Sequence, residues 1–245
     1  MSEVKKFQEE VKNNIKSLSE DKELQLLSNK WIEKISPHKY SYNFTWMGRP
    51  IIQLPQDIIA LQEIIWSIRP DLIIETGVAH GGSIIFHASM LELIGEDGEV
   101  VGIDIDIRKH NRVEIENHPM FKRITLIEGS STDQEVFAQV KEISKNKKKV
   151  MVILDSNHTH QHVLDELNLF SPLVTKGSYM IVLDTVIEDM PEDSFPNRPW
   201  GIGDNPKTAV WEFVKTNDRF VIEKEFNHKL MITVAPDGYL LCVGD

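Results

Sequence analysis

The chain has 245 residues and carries 27 Lys+Arg against 38 Asp+Glu, a formal charge of −11, which argues against nucleic acid or an anionic membrane surface as a general partner. At this length about 70% or more of the extended-chain surface can be buried, so one substantial core is expected and a second full domain is not required. Cys242 is the single cysteine, which excludes an internal disulfide and a thiolate zinc cluster; with no signal-peptide core and no run of 18 apolar residues, a cytoplasmic location is the simplest expectation.

Residues 1–35 are charged, but Val4, Phe7, Val11, Ile15 and Leu18, then Leu24, Leu26, Leu27, Trp31 and Ile35, recur at helical spacing. They predict two helices with one apolar stripe each, to be covered by the same domain or by another copy in a homo-oligomer. Residues 40–55, with Tyr42, Phe44, Trp46, Met47, Arg49 and Gln53, read as an aromatic-rich loop that caps the core edge or lines a substrate pocket. Asp57 is expected to cap a helix over 58–68, which Arg69-Pro70 ends. The chain thus divides into an N-terminal extension, 1–56, and a main domain, 57–245.

A strand over 72–76 runs into Glu75-Thr-Gly77-Val-Ala79-His80-Gly81-Gly82-Ser83 and a helix over 83–94. Small residues there let a ligand approach the backbone, and the free N–H groups of the helix start can meet a polar group. The spacing is GxxxGG, which is neither a dinucleotide fingerprint nor a P-loop. The next strand, 100–104, ends in Asp104, 27 residues beyond Gly77, where an acid can accept hydrogen bonds from a ribose. Asp106 reads as the N-cap of a helix over 106–116.

Alternation continues with a strand at 124–128, a helix at 132–143, a strand at 149–154, a helix at 160–170 and a strand at 178–183. After a loop over 186–205 come a helix at 207–217 and short strands at 220–224, 230–234 and 238–243. The pattern predicts an α/β fold, mostly parallel, with an antiparallel C-terminal edge. Ser130 and Ser131 follow the 124–128 strand, either to meet a purine or to cap the next helix. Asp155 and Asp184 end neighbouring strands and so share one rim of the sheet, where two carboxylates repel unless a cation or proton intervenes; a hard ion such as magnesium suits them. His158 reads as a polar pocket residue or a partner of a carboxylate, and His160 as structural. The 20 residues of the 186–205 loop, with Arg198, Trp200 and two glycines, suit a lid.

Several blocks in order carry a resemblance: Trp46-Met-Gly-Arg-Pro with Gln53 and Pro55, ETGVAHGGS at 75–83, GIDID at 102–106, LDSNHTH at 154–160, WGIGDNPKTAVWEF at 200–213 and Pro236-Asp-Gly-Tyr-Leu. Over residues 40–243 the chain resembles the cephalosporin hydroxylase family, whose characterised antibiotic-modifying members resemble S-adenosylmethionine-dependent O-methyltransferases. The resemblance implies a Rossmann-like class I methyltransferase fold. It also implies that Glu75, Gly77 and the turn Ala79, His80, Gly81 and Ser83 cradle the methionine part of the cofactor. Asp104 would bind ribose, Ser130 would lie near adenine, and Asp155 and Asp184 would hold Mg2+ beside the cofactor. In catechol-type methyltransferases, which that metal site resembles, a third ligand is an acid or amide beside the second aspartate. Here the neighbours are Leu183 and Thr185, so Thr185 offers a weak hydroxyl ligand, and Glu188 or water is left to complete the shell.

The chemistry this implies is methyl transfer to a hydroxyl of a small molecule or sugar, with His158 assisting proton removal and the metal at Asp155 orienting the acceptor. A nicotinamide-dependent oxidoreductase is the alternative that Asp104 allows, although the dinucleotide glycine spacing and a Tyr-Lys pair are missing. A non-catalytic binding protein would leave the strand-end acids unmatched to any ligand.

Overall fold

The computed structural model describes residues 2–245. Helices α1 (Glu3–Glu20) and α2 (Lys22–Ile35) each begin at a side-chain cap: Ser2 accepts the Lys5 N–H at 3.3 Å and Asp21 accepts the Leu24 N–H at 2.9 Å. α1 buries none of its residues, whereas α2 turns Ile32 into a small cluster with Val186 and Met190. The expected aromatic loop instead holds a hairpin, β1 (Phe44–Trp46) and β2 (Arg49–Ile51). Its two turn residues, Met47 and Gly48, both have positive φ, the conformation that matches a tight turn to the twist of the strands.

The main domain follows as α3 (Pro55–Ile68), β3 (Leu72–Thr76), α4 (Gly82–Ile94), β4 (Glu99–Asp104), α5 (Lys109–Glu116), β5 (Ile124–Glu128), α6 (Gln134–Ser144), β6 (Val150–Leu154), α7 (His160–Phe170), β7 (Tyr179–Val182), α8 (Pro206–Thr216), β8 (Phe220–Ile222), α9 (Lys224–Leu230) and β9 (Tyr239–Cys242). The strands form one seven-stranded sheet in the order β5-β4-β3-β6-β7-β9-β8. The first five are parallel, and β9 runs antiparallel to both β7 and β8. Successive residues of β3 point to opposite faces: Ile73 packs under α3 and α4, and Leu72 and Ile74 under the helices of the other face. Every residue of β3 and β6 is buried, which is why both read as unbroken apolar runs rather than alternating ones. Strand order reverses between β3 and β6, so a crevice opens at their carboxyl ends.

Two local expectations fail because a tertiary partner takes the group that local sequence assigns to a cap or a ladder, and two further cap expectations fail through neighbouring residues. Asp57 does not cap its helix, because α3 already starts at Pro55. The buried Asp57 carboxylate instead accepts the Thr233 hydroxyl, the Val234 N–H at 3.0 Å and the Tyr239 hydroxyl at 3.1 Å. That bond, with the Val186 N–H donating to the Val234 carbonyl at 3.1 Å, occupies the backbone of 230–234, so no strand forms there and helix α9 precedes it. Asp106 donates its N–H to Asp104 at 3.1 Å, and α5 begins at Lys109 after an Arg108 cap position. Neither Ser130 nor Ser131 caps α6; Asp133 accepts the N–H groups of Glu135 and Val136.

Burial pushes the Asp57 carboxyl up to about 6, against the three hydrogen bonds that lower it, and the charge of Asp184 adds to the rise. The folded chain therefore holds this proton more tightly than the unfolded chain does. The contribution of Asp57 to stability is most favourable below about pH 4 and is lost as pH rises towards about 6, by roughly 3 kcal/mol. Urea unfolding across this range should show the stability difference between wild type and Asp57→Asn shrinking with rising pH and levelling above pH ~6; a pH-independent difference contradicts the assignment.

Candidate functional site

The carboxyl ends of β3, β4 and β6 are stitched together at the crevice. Gly77 donates its N–H to the Ile103 carbonyl at 2.7 Å, and Asp155 donates its own to the Thr76 carbonyl at 2.9 Å. Gly77 has φ +96°, and a Cβ there would lie 2.0 Å from the Asp155 carbonyl oxygen, so only glycine fits. Gly82, at the start of α4, is pressed against the hairpin in the same way, a Cβ meeting the Pro50 carbonyl oxygen at 2.1 Å.

Between these glycines the turn is held from two sides. One oxygen of the Asp104 carboxylate accepts the N–H groups of Val78 at 2.8 Å and Ala79 at 3.1 Å, and the other accepts Asp106. From the opposite side Arg49 donates to the His80 carbonyl through Nη2 at 2.7 Å and Nε at 3.1 Å, while Asn111 Nδ2 donates to the Ala79 carbonyl at 2.9 Å. Arg49 and Asn111 also bond each other at 3.1 Å. The Trp46-Met-Gly-Arg-Pro block signals Arg49, but nothing in the sequence singles out Asn111. Gly81, at φ +83°, packs against the side chain of Ile115.

Glu75 takes a different position from the rest of the turn. Its carboxylate is fully buried, 3.3 Å from the Nε2 of the equally buried His87, and does not line the cavity beside the turn. That cavity, of ≈40 Å³, lies between Gln53, Pro50 and the backbone of Gly77 to Ser83, with Asp155 at its wall. Ser130 lies beyond β5, its hydroxyl 3.0 Å from that of Thr132.

Asp155 and Asp184 meet on the rim, joined by His158: one ligand-type atom of each lies within 4.8 Å of the others. His158 Nε2 is 3.2 Å from an Asp184 oxygen, and the ring packs edge-on against Trp200, centroids 4.8 Å apart. Asp184 adopts a left-handed backbone, φ +55°, which Asp tolerates better than most residues. Burial, then the charges of Asp184, Glu75 and Glu166, hold the Asp155 carboxyl well above the usual carboxylate range. No Lys or Arg pairs with either aspartate among the described residues, so no permanent positive charge of the protein offsets the two carboxylates. Two carboxylates with free lone pairs fit a hard divalent cation.

Thr185 and Glu188 are engaged elsewhere. The Thr185 hydroxyl donates to the Pro236 carbonyl at 2.7 Å, and Glu188 accepts the Gly203 N–H at 2.8 Å and the Asn205 amide. The acidic half of the 186–205 loop is thereby tied to its glycine half. His160 is structural: its N–H donates to Asp204 at 2.7 Å and its ring meets Thr208 and Glu212.

Comparison with known proteins agrees with this architecture. A family model described as Rhamnosyl O-methyltransferase/CmcI matches residues 38–243. A rhamnosyl O-methyltransferase of Mycobacterium bovis (strain BCG / Pasteur 1173P2) is 31% identical over 216 residues, 83% of this chain and 82% of that protein. Its namesake from Mycobacterium leprae (strain TN) is 32% identical over 161 residues, 63% of this chain and 68% of its own. Among solved structures, the apo form of CmcI is similar with a TM-score of 0.60 at 19% identity, covering 83% of this chain and 78% of that one. The Mg-SAM form of CmcI gives 0.59 at 19% identity, with the same coverage. At that identity the likeness establishes a shared fold.

Proposed function

Because the chain belongs to the rhamnosyl O-methyltransferase/CmcI family and is an S-adenosylmethionine-dependent O-methyltransferase with a Rossmann-like class I fold, we propose that it methylates a sugar or small-molecule hydroxyl held at Asp155, His158 and Asp184. The observation that carries the proposal is the convergence of these three side chains on the rim beside the glycine turn. The rhamnosyl O-methyltransferases similar to this chain favour a sugar hydroxyl as the acceptor. Trp200, packed beside His158, gives the rim an aromatic wall for the apolar side of such a ring.

S-adenosylmethionine at this site would supply an electrophilic sulfonium methyl, and Mg2+ would supply a positive centre that favours a deprotonated acceptor oxygen. The backbone of Gly77, Ala79, His80, Gly81 and Ser83 would hold the methionine part, and Ser130 would lie near the base. The Asp104 oxygen that accepts the Asp106 N–H retains a lone pair after its backbone bond, enough to receive a ribose hydroxyl. Fully buried Glu75 would act by its charge rather than by contact. Asp155 and Asp184 are the metal ligands in this reading, and with Thr185 bonded to Pro236 the remaining positions fall to water and acceptor. Magnesium prefers oxygen to imidazole nitrogen, which leaves the His158 ring to take the acceptor's proton, oriented by Asp184.

Among the described residues no helix is long and apolar enough to cross a membrane. That the chain carries a single cysteine, the buried Cys242, supports a cytoplasmic setting. Exposed Phe7 on α1 and Leu26 and Leu27 on α2 support a homo-oligomer formed through the N-terminal helices.

Three expectations follow from these assignments. Manganese titration, read by electron paramagnetic resonance, should show wild type binding one ion with proton release, so that affinity rises with pH. Asp155→Ala and Asp184→Ala should each weaken that binding by about tenfold or more, while His158→Gln keeps the ion and slows turnover; undiminished binding in both aspartate variants sinks the metal assignment. In calorimetry, Asp104→Ala should weaken S-adenosylhomocysteine binding by about tenfold to a hundredfold, the worth of charge-assisted hydrogen bonds to ribose; equal affinity refutes the ribose role. Light scattering should show a smaller particle for Phe7→Ser combined with Leu26→Ser than for wild type, and an unchanged mass rules out the helical interface.

A further inference from the structure

Gln53 is a buried polar side chain beside the glycine turn that the proposed chemistry leaves unused. It is 3% exposed, and neither its Oε1 nor its Nε2 has a hydrogen-bond partner. A buried primary amide with both ends unsatisfied is costly, and such a group in a folded protein calls for an explanation. By contrast, the charged side chains of the cleft around Glu92, Lys122, Arg123 and Lys147, at the opposite ends of the strands, are paired with protein groups.

Gln53 lines the ≈40 Å³ cavity shared with Pro50, Gly77, His80, Ser83 and Asp155, and its amide atoms lie enclosed within the protein. The same cavity receives the start of α4, a helix of 13 residues whose first intrahelical bond here is donated by Ile85 to the Gly81 carbonyl. The N–H groups of the first turn before Ile85 have no acceptor within the helix and favour an anion. The segment is held firmly: Pro50 abuts Gly82, and Arg49 is anchored on the His80 carbonyl.

We propose that Gln53 binds the α-amino-acid end of the cofactor, its Nε2 donating to the α-carboxylate at the α4 N-terminus and its Oε1 accepting from the α-ammonium. The inference rests on the S-adenosylmethionine reading of the site. A zwitterionic terminus needs both a donor and an acceptor, and a primary amide presents the two on one rigid plane. A charged side chain at this position would serve one end and repel the other. Gln53 would thus make the site selective for ligands that carry the amino acid over nucleosides that lack it.

Calorimetry on the full chain separates the two parts of the argument, with S-adenosylhomocysteine as the complete probe and methylthioadenosine as the probe without the amino-acid end. Gln53→Leu should weaken S-adenosylhomocysteine by roughly tenfold to a hundredfold and leave methylthioadenosine within about twofold. Gln53→Met, which keeps the length of the side chain and removes both the donor and the acceptor, should discriminate in the same direction, and it carries the test should the leucine variant fail to fold. Equal losses for both probes, or none for either, in a variant whose circular dichroism matches wild type overturn the role of Gln53. Wild type that binds neither probe overturns the cofactor reading itself, and the inference with it.

Discussion

The contact on which the rest of this site depends is the approach of Gly77 to the Asp155 carbonyl. β3 and β6 are neighbours in the sheet, and their ends can converge only because residue 77 carries no Cβ and accepts a positive φ. That convergence sets the glycine turn and the acid-bearing end of β6 at one fixed spacing, with the Asp155 N–H bonded to Thr76 to hold it. In the proposed reaction an electrophile held by the turn and a nucleophile held by the rim would share this frame of backbone atoms, which is what in-line group transfer requires.

The turn itself is a strained element kept in shape by polar clamps. Ala79 has a positive φ, and its N–H and carbonyl are taken by Asp104 and Asn111 respectively. Arg49 comes from the hairpin of the N-terminal extension, so residues before the main domain complete the cradle rather than merely cover a face. Phe86 and Trp46 pack edge to face beneath the same hairpin, and the Trp46 indole donates to Ser89 at 2.9 Å, adding apolar area to the polar clamp.

Electrostatics on the rim run against local stability. Asp57, Asp155 and Asp184 lie close enough that charge on one raises the proton affinity of another, and burial deepens the effect at Asp57 and Asp155. Such an arrangement is the usual compromise of a binding site, where groups are held ready for a ligand rather than for each other. The 186–205 loop is tied in another way: Glu188 bonds Gly203 and Asn205 within it, and Asp189 pairs with Lys207 of α8 at 2.6 Å, so these two acids are engaged away from the rim.

The α/β class, the parallel strands with their helices, and the places where strands end in glycine or acid were legible in the sequence. Those features are written in runs of adjacent residues, since apolar strands buried on both faces and amphipathic helices differ in period. That legibility failed where a side chain or backbone group is claimed by a partner far along the chain. Asp57 bonds residues 233, 234 and 239, which turned an expected strand into a loop; Asn111 braces Ala79; Glu188 faces Gly203 instead of the rim. That Gln53 is left unpartnered near the start of α4, and that His158 pairs with Asp184 in particular, follows from the packing of distant segments. Local propensity carries no information about which of several equally good hydrogen-bond partners long-range packing will bring within 3 Å.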